Sequence, residues 1–390
     1  MDVKQLAAVA NELTAQIVGV NPITGVNTGE WVSLGDQILS SETNRDTFFS
    51  TLADKFARII IQNRTYSPDT DDLMKNEIEF GIALQKIYVD PTKDAQDTEI
   101  WNLEDGDYVN PWLVTKNTVK QKIFSSMTTW EIPLTIPEYT LKTAFTSAEE
   151  FGAFISSLYT AVENSLKIKE EGLAEGCIAN FIGQRLAYKE TNNTSLTVVN
   201  LLKDYNDLTS EGLTTEAALR NLDFLKYASR QILLYKNRMK KMSVLFNQEQ
   251  YKRHTPDDKL RIRMLADFTT AADSYLQSDT YHNEFTALPN VTKVNYWQAS
   301  GQNYGFENTS KINVTIKVNG EDKVIEQDGI IGIMYDEDAA GITILNKSSS
   351  SIYNPRGRYT NMFFQNNVGY FNDLSENFVV FTIAEEPAGA

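Results

Sequence analysis

Hydrophobic positions in this chain follow two periods, and their alternation lays out the elements. In "RDTFFSTLADKFARIIIQN", residues 45–63, Phe49, Leu52, Phe56 and Ile59 or Ile60 recur at three- and four-residue steps, the spacing of a helix with one buried face. The run Ile59 to Ile61 predicts a short β-like end to it. Residues 1–45 read as a weakly apolar arm. Its start is an amphipathic helix, and the Gly, Asn and Pro of "GVNPITGVNTGEW" break any later one. "SPDTDD" at 67–72 is a polar turn. Between 76 and 140 the period shortens to two. "EIEFGIALQKIYVD" and "VKQKIFSSMTTWEIPLTI" alternate strand formers with polar residues, and a long acidic connection joins them. The pattern predicts a protruding β-hairpin with little core of its own. A free monomer gains little from such an arm, whereas a neighbouring subunit can use it.

The helical period returns at Ser147, which forms a capping box with Glu150. Phe151, Phe154, Ile155, Leu158, Val162, Leu166, Leu173, Cys177 and Phe181 then keep one face apolar, with glycines at 172, 176 and 183 as candidate bends or ends. At about 1.5 Å per residue such a helix approaches ~50 Å. Residues 190–212 read as loop. A second amphipathic helix follows Thr214 or Thr215 through Leu219, Leu222, Leu225, Ile232 and Leu233. "KKMSVLFN" predicts a short buried strand, and "DDKLRIRMLADFTTAADSYL" an edge strand and a small helix. In "INVTIKVNGEDKVIEQ" the Asn319-Gly320 pair between β-branched alternations is a strong hairpin signal. "GIIGIMYDEDAAGITILN" predicts two more strands about an acidic turn. The class is α+β, without internal repeats.

Composition removes several functions. Acidic residues number 52 against 36 basic, a net charge of −16, which suits solubility and opposes any general grip on nucleic-acid phosphates. No apolar run approaches the ~18–20 residues of a membrane span, and the N-terminus lacks the pattern of a signal peptide. Cys177 is the only cysteine, so neither an intrachain disulfide nor a cysteine metal cluster is open to the chain. The two histidines, His254 and His282, stand outside any zinc motif and read as polar loop residues. Phosphate-binding and dinucleotide-binding glycine loops and the hydrolase nucleophile elbow are missing from the sequence. Three acidic groups, Asp69/Asp71/Asp72, Glu104/Asp105/Asp107 and Asp336/Glu337/Asp338, lack the spacing of a calcium loop and read as solvated turn tips. Cys177 falls on the apolar helix face as an inert small hydrophobe. The inventory predicts no enzyme, with no catalytic, cofactor-binding or metal residues and no cofactor.

Close to the C-terminus stands "IYNPRGRYTNMFFQNNVGYFNDLSENFVVFTIA", rich in strand formers. Together with "TLADKFARIIIQN", "GIALQKIYVD", "TIPEYTLKTAFTS" and "KLRIRMLADF" upstream and in the same order, it resembles the major capsid proteins of small short-tailed phages of the phi29 type over residues 45–386. That resemblance implies the HK97-like capsid fold. An N-terminal arm and helix would occupy 1–62, the extended E-loop and flanking strands 63–140, and the peripheral (P) domain with its spine helix 141–195. The axial (A) domain would take 196–349, with an inserted hairpin at 312–328, and strands at 350–390 would return to the P domain. The immunoglobulin-like domain that such proteins can carry after the last strand is expected to be lacking.

The implied function is self-assembly into the icosahedral head shell of a virion, built in the host cytoplasm and enclosing double-stranded DNA without sequence-specific binding. The implied partners are further copies of the chain in pentamers and hexamers, a scaffolding protein, a portal, and a head fibre or decoration protein; none is a membrane. Besides an enzyme using buried carboxylates, the least favoured, two alternatives accompany this reading. One is an encapsulin-type nanocompartment shell of the same fold. The other is a β-rich ligand-binding protein with Tyr296 and Trp297 as a stacking platform, although strand core or interface packing suits those aromatics better.

Overall fold

The computed structural model describes residues 3–17, 22–24, 26–62, 70, 73–75, 84–89, 102–108, 112, 114, 116–192, 196–279, 291–298, 306–318 and 320–384. Along the described chain the elements are α1 (Val3–Thr14), α2 (Thr28–Leu39), α3 (Glu42–Gln62), β1 (Leu84–Val89), β2 (Val119–Phe124), β3 (Met127–Pro137), α4 (Glu138–Ala144), α5 (Ala148–Asn192), β4 (Val198–Asn200), α6 (Leu201–Thr209), α7 (Thr215–Ala218), α8 (Leu222–Met239), β5 (Leu260–Leu265), α9 (Ala266–Asp279), β6 (Val291–Val294), α10 (Phe306–Thr309), β7 (Ile312–Val318), β8 (Glu321–Gln327), β9 (Ile330–Asp336), β10 (Ala340–Asn354), β11 (Tyr359–Asn372) and β12 (Phe378–Thr382). The mixture is α+β. The chain divides into two compact units, one of Met1–Ile82, Ser126–Gly176 and Ile342–Tyr370, the other of Ala83–Ser125, Cys177–Gly341 and Phe371–Ala390.

In the first unit, α1 to α4 and the start of α5 enclose an aromatic core. Trp31 and Phe145 both stand 5.2 Å from Phe151, and Phe48 stands 5.7 Å from Phe145. A fully buried side chain of this kind stabilises by roughly 1.5–3 kcal/mol. The sheet order is β10-β11-β3, and β11 runs antiparallel to β3 from Tyr359↔Pro137 to Gly369↔Met127. Met362 and Phe364 of β11 and Ile136 of β3 belong to the same buried cluster as the helices. The Glu150 amide donates to Ser147 Oγ at 3.2 Å, the cap expected at the start of α5.

Two expectations fail here. The stretch 1–45 is not a loose arm: α2 forms within it, capped by Asn27, whose side chain accepts from the Gly29 amide, and it buries Trp31, Leu34 and Ile38. At Gly35 the helix approaches Phe145, whose Cβ would lie 2.6 Å from an added side-chain carbon. Ile59 to Ile61 stay helical in α3. β-branching lowers helix propensity by only a few tenths of a kcal/mol, about what a propagating helix absorbs.

The second unit is built on a sheet of order β4-β12-β9-β5-β6. β12 runs parallel to β4 and antiparallel to β9, while β5 runs antiparallel to β9 and parallel to β6. Residues of α6, α8 and α9 share a buried cluster with strand residues such as Met264, Met334 and Phe381. The β7–β8 hairpin forms as expected, paired from Ile312↔Gln327 to Val318↔Glu321, with Gly320 at φ +90° in its turn. It packs on α5, where a carbon added at Gly183 would lie 2.5 Å from Val314 Cγ2. The glycines at 172, 176 and 183 do not end α5, which continues to Asn192.

Five further expectations change in this part of the chain. The helix after Thr214 is two pieces, α7 and α8, the second capped by Asn221. β5 is interior rather than an edge: it lies between β9 and β6, Arg263 donates to the Tyr335 hydroxyl at 3.0 Å and Arg261 pairs with Glu337 at 2.5 Å. "KKMSVLFN" is no buried strand. Its one bridge is Ser243↔Arg253, and Met242, Val244 and Leu245 are 39–50% exposed. Residues 190–212 are not a loop: β4 and α6 form within them. The closing stretch likewise divides. β11 pairs with β3, whereas β12 enters the five-stranded sheet, so 350–390 does not return as one block.

Candidate assembly site at the root of a hairpin

Strands β1 and β2 pair antiparallel from Leu84↔Phe124 to Val89↔Val119. Alternation gives this ladder two faces. One carries Lys86, Tyr88, Lys120, Lys122 and Phe124, all half-buried; the other carries Ile87, Val89, Val119 and Ile123, at 50–62% exposure. The usual arrangement is inverted. The lysine face packs on the unit, and the aliphatic face looks out.

The cause is a nest of carboxylates beneath the lysines. Lys86 Nζ lies 2.8 Å from Asp373 Oδ2 and 2.5 Å from Glu376 Oε1, and Lys122 Nζ lies 2.8 Å from Asp373 Oδ1 and 2.5 Å from Glu249 Oε1. Asp373, whose side chain is fully buried, also accepts from the amide and hydroxyl of Ser375. Arg253 reaches Glu376 at 3.1 Å and lies over the Tyr88 ring. Tyr88 stacks on Tyr251 at 5.1 Å and donates to the Lys252 carbonyl, while Lys120 sits 4.0 Å above the Tyr251 ring. Phe124 meets Phe371 at 5.2 Å.

Burial by itself would raise the Asp373 carboxyl, but the charges and hydrogen bonds of Lys86 and Lys122 outweigh it and hold the group well below the ordinary carboxylate range. Glu376 goes the other way: burial raises it further than Lys86 and Arg253 bring it down. Burial would lower the Lys122 ammonium, yet Asp373 and Glu249 together push it above its usual value. Beside this nest the fully buried Arg185 donates to the Glu376 carbonyl at 3.0 Å, and burial lowers its guanidinium to about 9. The arrangement clamps the two strands at their base. It offers no group poised for turnover.

The remaining residues singled out in the sequence do not converge. His254 is exposed in a loop, and His282 lies outside the described residues, as do Asp69, Asp71 and Asp72. Cys177 is buried, and desolvation pushes its thiol up to about 12. Glu104 and Asp107 close their own turn, the Glu104 amide donating to Asp107 Oδ2 at 2.9 Å. Asp336 is buried and accepts from Thr255, while Asp338 pairs with Lys259 at 2.8 Å. Trp297 is buried and donates from Nε1 to the Ile330 carbonyl at 2.8 Å, a strand-core role and not a platform. Among the described residues no group of three or more His, Cys, Asp or Glu is placed to hold a metal, and no helix is long and apolar enough to cross a membrane.

The clamp itself was missed in the sequence. Its signal was the alternation of "LQKIYV" and "VKQKIF", which separates lysines from aliphatics without saying which side faces inward.

The hairpin is thus clamped on one face and exposes aliphatic side chains on the other. The chain belongs to the Phi29-like phage major capsid protein family, whose model matches residues 6–382. That is a family of structural proteins and not of enzymes. The chain is 23% identical over 169 residues to the "Major capsid protein" of Bacillus phage GA-1, covering 42% of this chain and 34% of the relative. It is 25% identical over 153 residues to that of Bacillus phage PZA, covering 39% and 33%. The matched stretches thus span about a third of the length of these curated relatives. Among solved structures it is similar to a chain of the Staphylococcus phage Andhra capsid, with TM-score 0.49, 9% identity, and 80% and 83% of the two chains covered. A chain of the cyanophage P-SCSP1u capsid gives 0.44, 12%, 83% and 90%. These geometric likenesses are slight, and the assignment rests on the family.

Proposed function

We propose that copies of this chain assemble into the icosahedral head shell of a tailed phage, enclosing double-stranded DNA, in the HK97-like arrangement. On this reading the β1–β2 hairpin and its connection serve as the E-loop, α5 as the spine helix, and the five-stranded sheet as the core of the A domain. The first unit serves as the P domain, with β11 as its returning strand. The observation that carries the proposal is the hairpin: a monomer gains nothing by exposing Ile87, Val89, Val119 and Ile123 together, whereas exposed aliphatic clusters of this kind mark association surfaces. The family match supports it independently and argues against the nanocompartment alternative. Closed rings of five and six follow from repeating one contact about an axis. A scaffolding protein, a portal, and a head fibre or decoration protein complete the proposed partners, and the virion is the proposed location.

Sedimentation velocity and negative-stain microscopy of the purified chain, alone and after coexpression with scaffold and portal candidates, test the proposal. Closed shells, or rings of five and six, are the expected result. A monomer that persists under every coexpression overturns it.

A further inference from the structure

An acidic shell protein faces a difficulty of its own. With a net charge of −16, two copies repel at long range, so a contact between them is favoured where a local patch carries the opposite sign. The second unit has one. At the end of α8 lie Lys236, Arg238, Lys240 and Lys241, and Asp257 takes two of them, Lys236 at 3.5 Å and Lys240 at 2.6 Å. Arg238 and Lys241 are exposed and form no ion pair among the described residues. Directly after them come Met242, Val244 and Leu245, 50%, 39% and 50% exposed, the run that does not fold as a strand. Basic and aliphatic groups thus share one uncovered corner.

The complementary surface lies on the connection between β1 and β2. In "NLEDGDY", residues 102–108, every residue is exposed, with Leu103 at 50% and Tyr108 at 76%. The stretch is pre-shaped: the Asp107 amide donates to the Glu104 carbonyl, the Glu104 amide donates to the Asp107 carboxylate, and Gly106 takes φ +104°. It presents three carboxylates flanked by a leucine and a tyrosine. Both surfaces belong to the same unit and neither is covered in the single chain, so the match is open to a second copy.

We infer that the acidic tip at Leu103–Tyr108 of one copy docks on the corner formed by Arg238, Lys241, Met242, Val244 and Leu245 of a neighbouring copy. This inference rests on the self-assembly reading and deepens it by naming the surface that receives the hairpin. Single exposed ion pairs contribute only about 0–1 kcal/mol. Here three carboxylates meet two cations over aliphatic contact, and the contact recurs at every copy. The apolar part excludes water, and the charges set register and reject other acidic surfaces. A contact of this kind is sensitive to salt, because screening acts within about 8–10 Å at ordinary ionic strength.

Charge reversal tests the docking. One variant carries Arg238→Glu and Lys241→Glu, a second carries Glu104→Lys, Asp105→Lys and Asp107→Lys, and a third carries all five. Each is coexpressed with the same scaffold that supports shells of the unsubstituted chain, and shell yield is read by sedimentation. All five sites are exposed, and thermal unfolding of each monomer checks that folding is intact. Each half-reversal is expected to lower shell yield about tenfold, the effect of a ~1.4 kcal/mol loss per contact, and the full reversal to restore most of it. Half-reversals that assemble like the unsubstituted chain overturn the docking while leaving self-assembly standing. So does a full reversal no better than either half, which would assign the basic corner to another partner. Failure of the unsubstituted chain to assemble with any scaffold removes the reading on which the docking rests.

Discussion

Two strand pairs of the second unit make opposite use of hydrophobic residues. β9 and β12, "IIGIMYD" and "FVVFT", are apolar almost throughout and buried along their whole length. β1 and β2 alternate, and the aliphatic half of the alternation is the half that meets solvent. The difference is in what lies against each pair. β12 sits between β4 and β9, with Phe181 4.1 Å from Phe378. Beneath β1 and β2 lie Asp373, Glu376, Glu249 and the Tyr251 ring, a surface suited to lysine and tyrosine. A two-stranded ladder is marginal by itself. This one is held by its charged face, which leaves the other face free for a neighbour.

Four measurements sharpen or break that contrast. Phe378→Ala empties a fully buried site in β12, and denaturant unfolding should register a loss of about 3–5 kcal/mol. A loss below ~1 kcal/mol would mean that the five-stranded sheet is no more a core than the hairpin. Asp373→Ala removes the shared acceptor of Lys86 and Lys122, and breaking a buried pair in this way costs about 3 kcal/mol. Proteolysis within 84–124 should accelerate with it, because the hairpin root is what opens. Ser147→Ala, a cap of the first unit, should cost about 1 kcal/mol and leave that proteolysis unchanged. Ile87→Ser with Ile123→Ser should alter monomer stability by no more than ~0.5 kcal/mol while depressing shell yield. A large stability loss there would mean that the outer face is covered within the monomer.

The pH dependence of the root has a definite sign. Asp373 is held below its unfolded value, so its contribution is present above about pH 4 and is lost as pH falls through the lower folded value. Glu376 is raised, so its contribution is present only at acid pH and disappears as pH rises through the folded value. Lys122 is raised, so its contribution is complete below about pH 10.4 and is lost as pH rises beyond. Proteolysis of the hairpin should therefore stay slow from mildly acidic to mildly alkaline pH and accelerate at both extremes. Asp373→Ala should abolish the acid limb.

Much of the architecture was legible in the residues. The cap at Ser147, the apolar stripe from Phe151 to Phe181, the Asn319-Gly320 hairpin and the α+β class each rest on local chemistry, and local chemistry is written in order along the chain. The errors cluster where a local signal had two outcomes. Asn27, in the stretch read as a helix break, became the cap of α2. The β5 stretch read as an edge and lies between β9 and β6, with Arg263 donating to the buried Tyr335. Met242, Val244 and Leu245 read as core and stayed outside.

The clamp was the least legible feature. It joins Lys86 and Lys122 to Asp373 across 287 and 251 residues of chain, and no spacing rule spans such a separation. The sequence by itself determined which residues could share a face, because side-chain direction follows from the 3.6- and 2-residue periods. Only the tertiary structure decided which face of each element turned inward, because that depends on whether apolar surface or paired carboxylate arrives from a distant part of the chain to meet it.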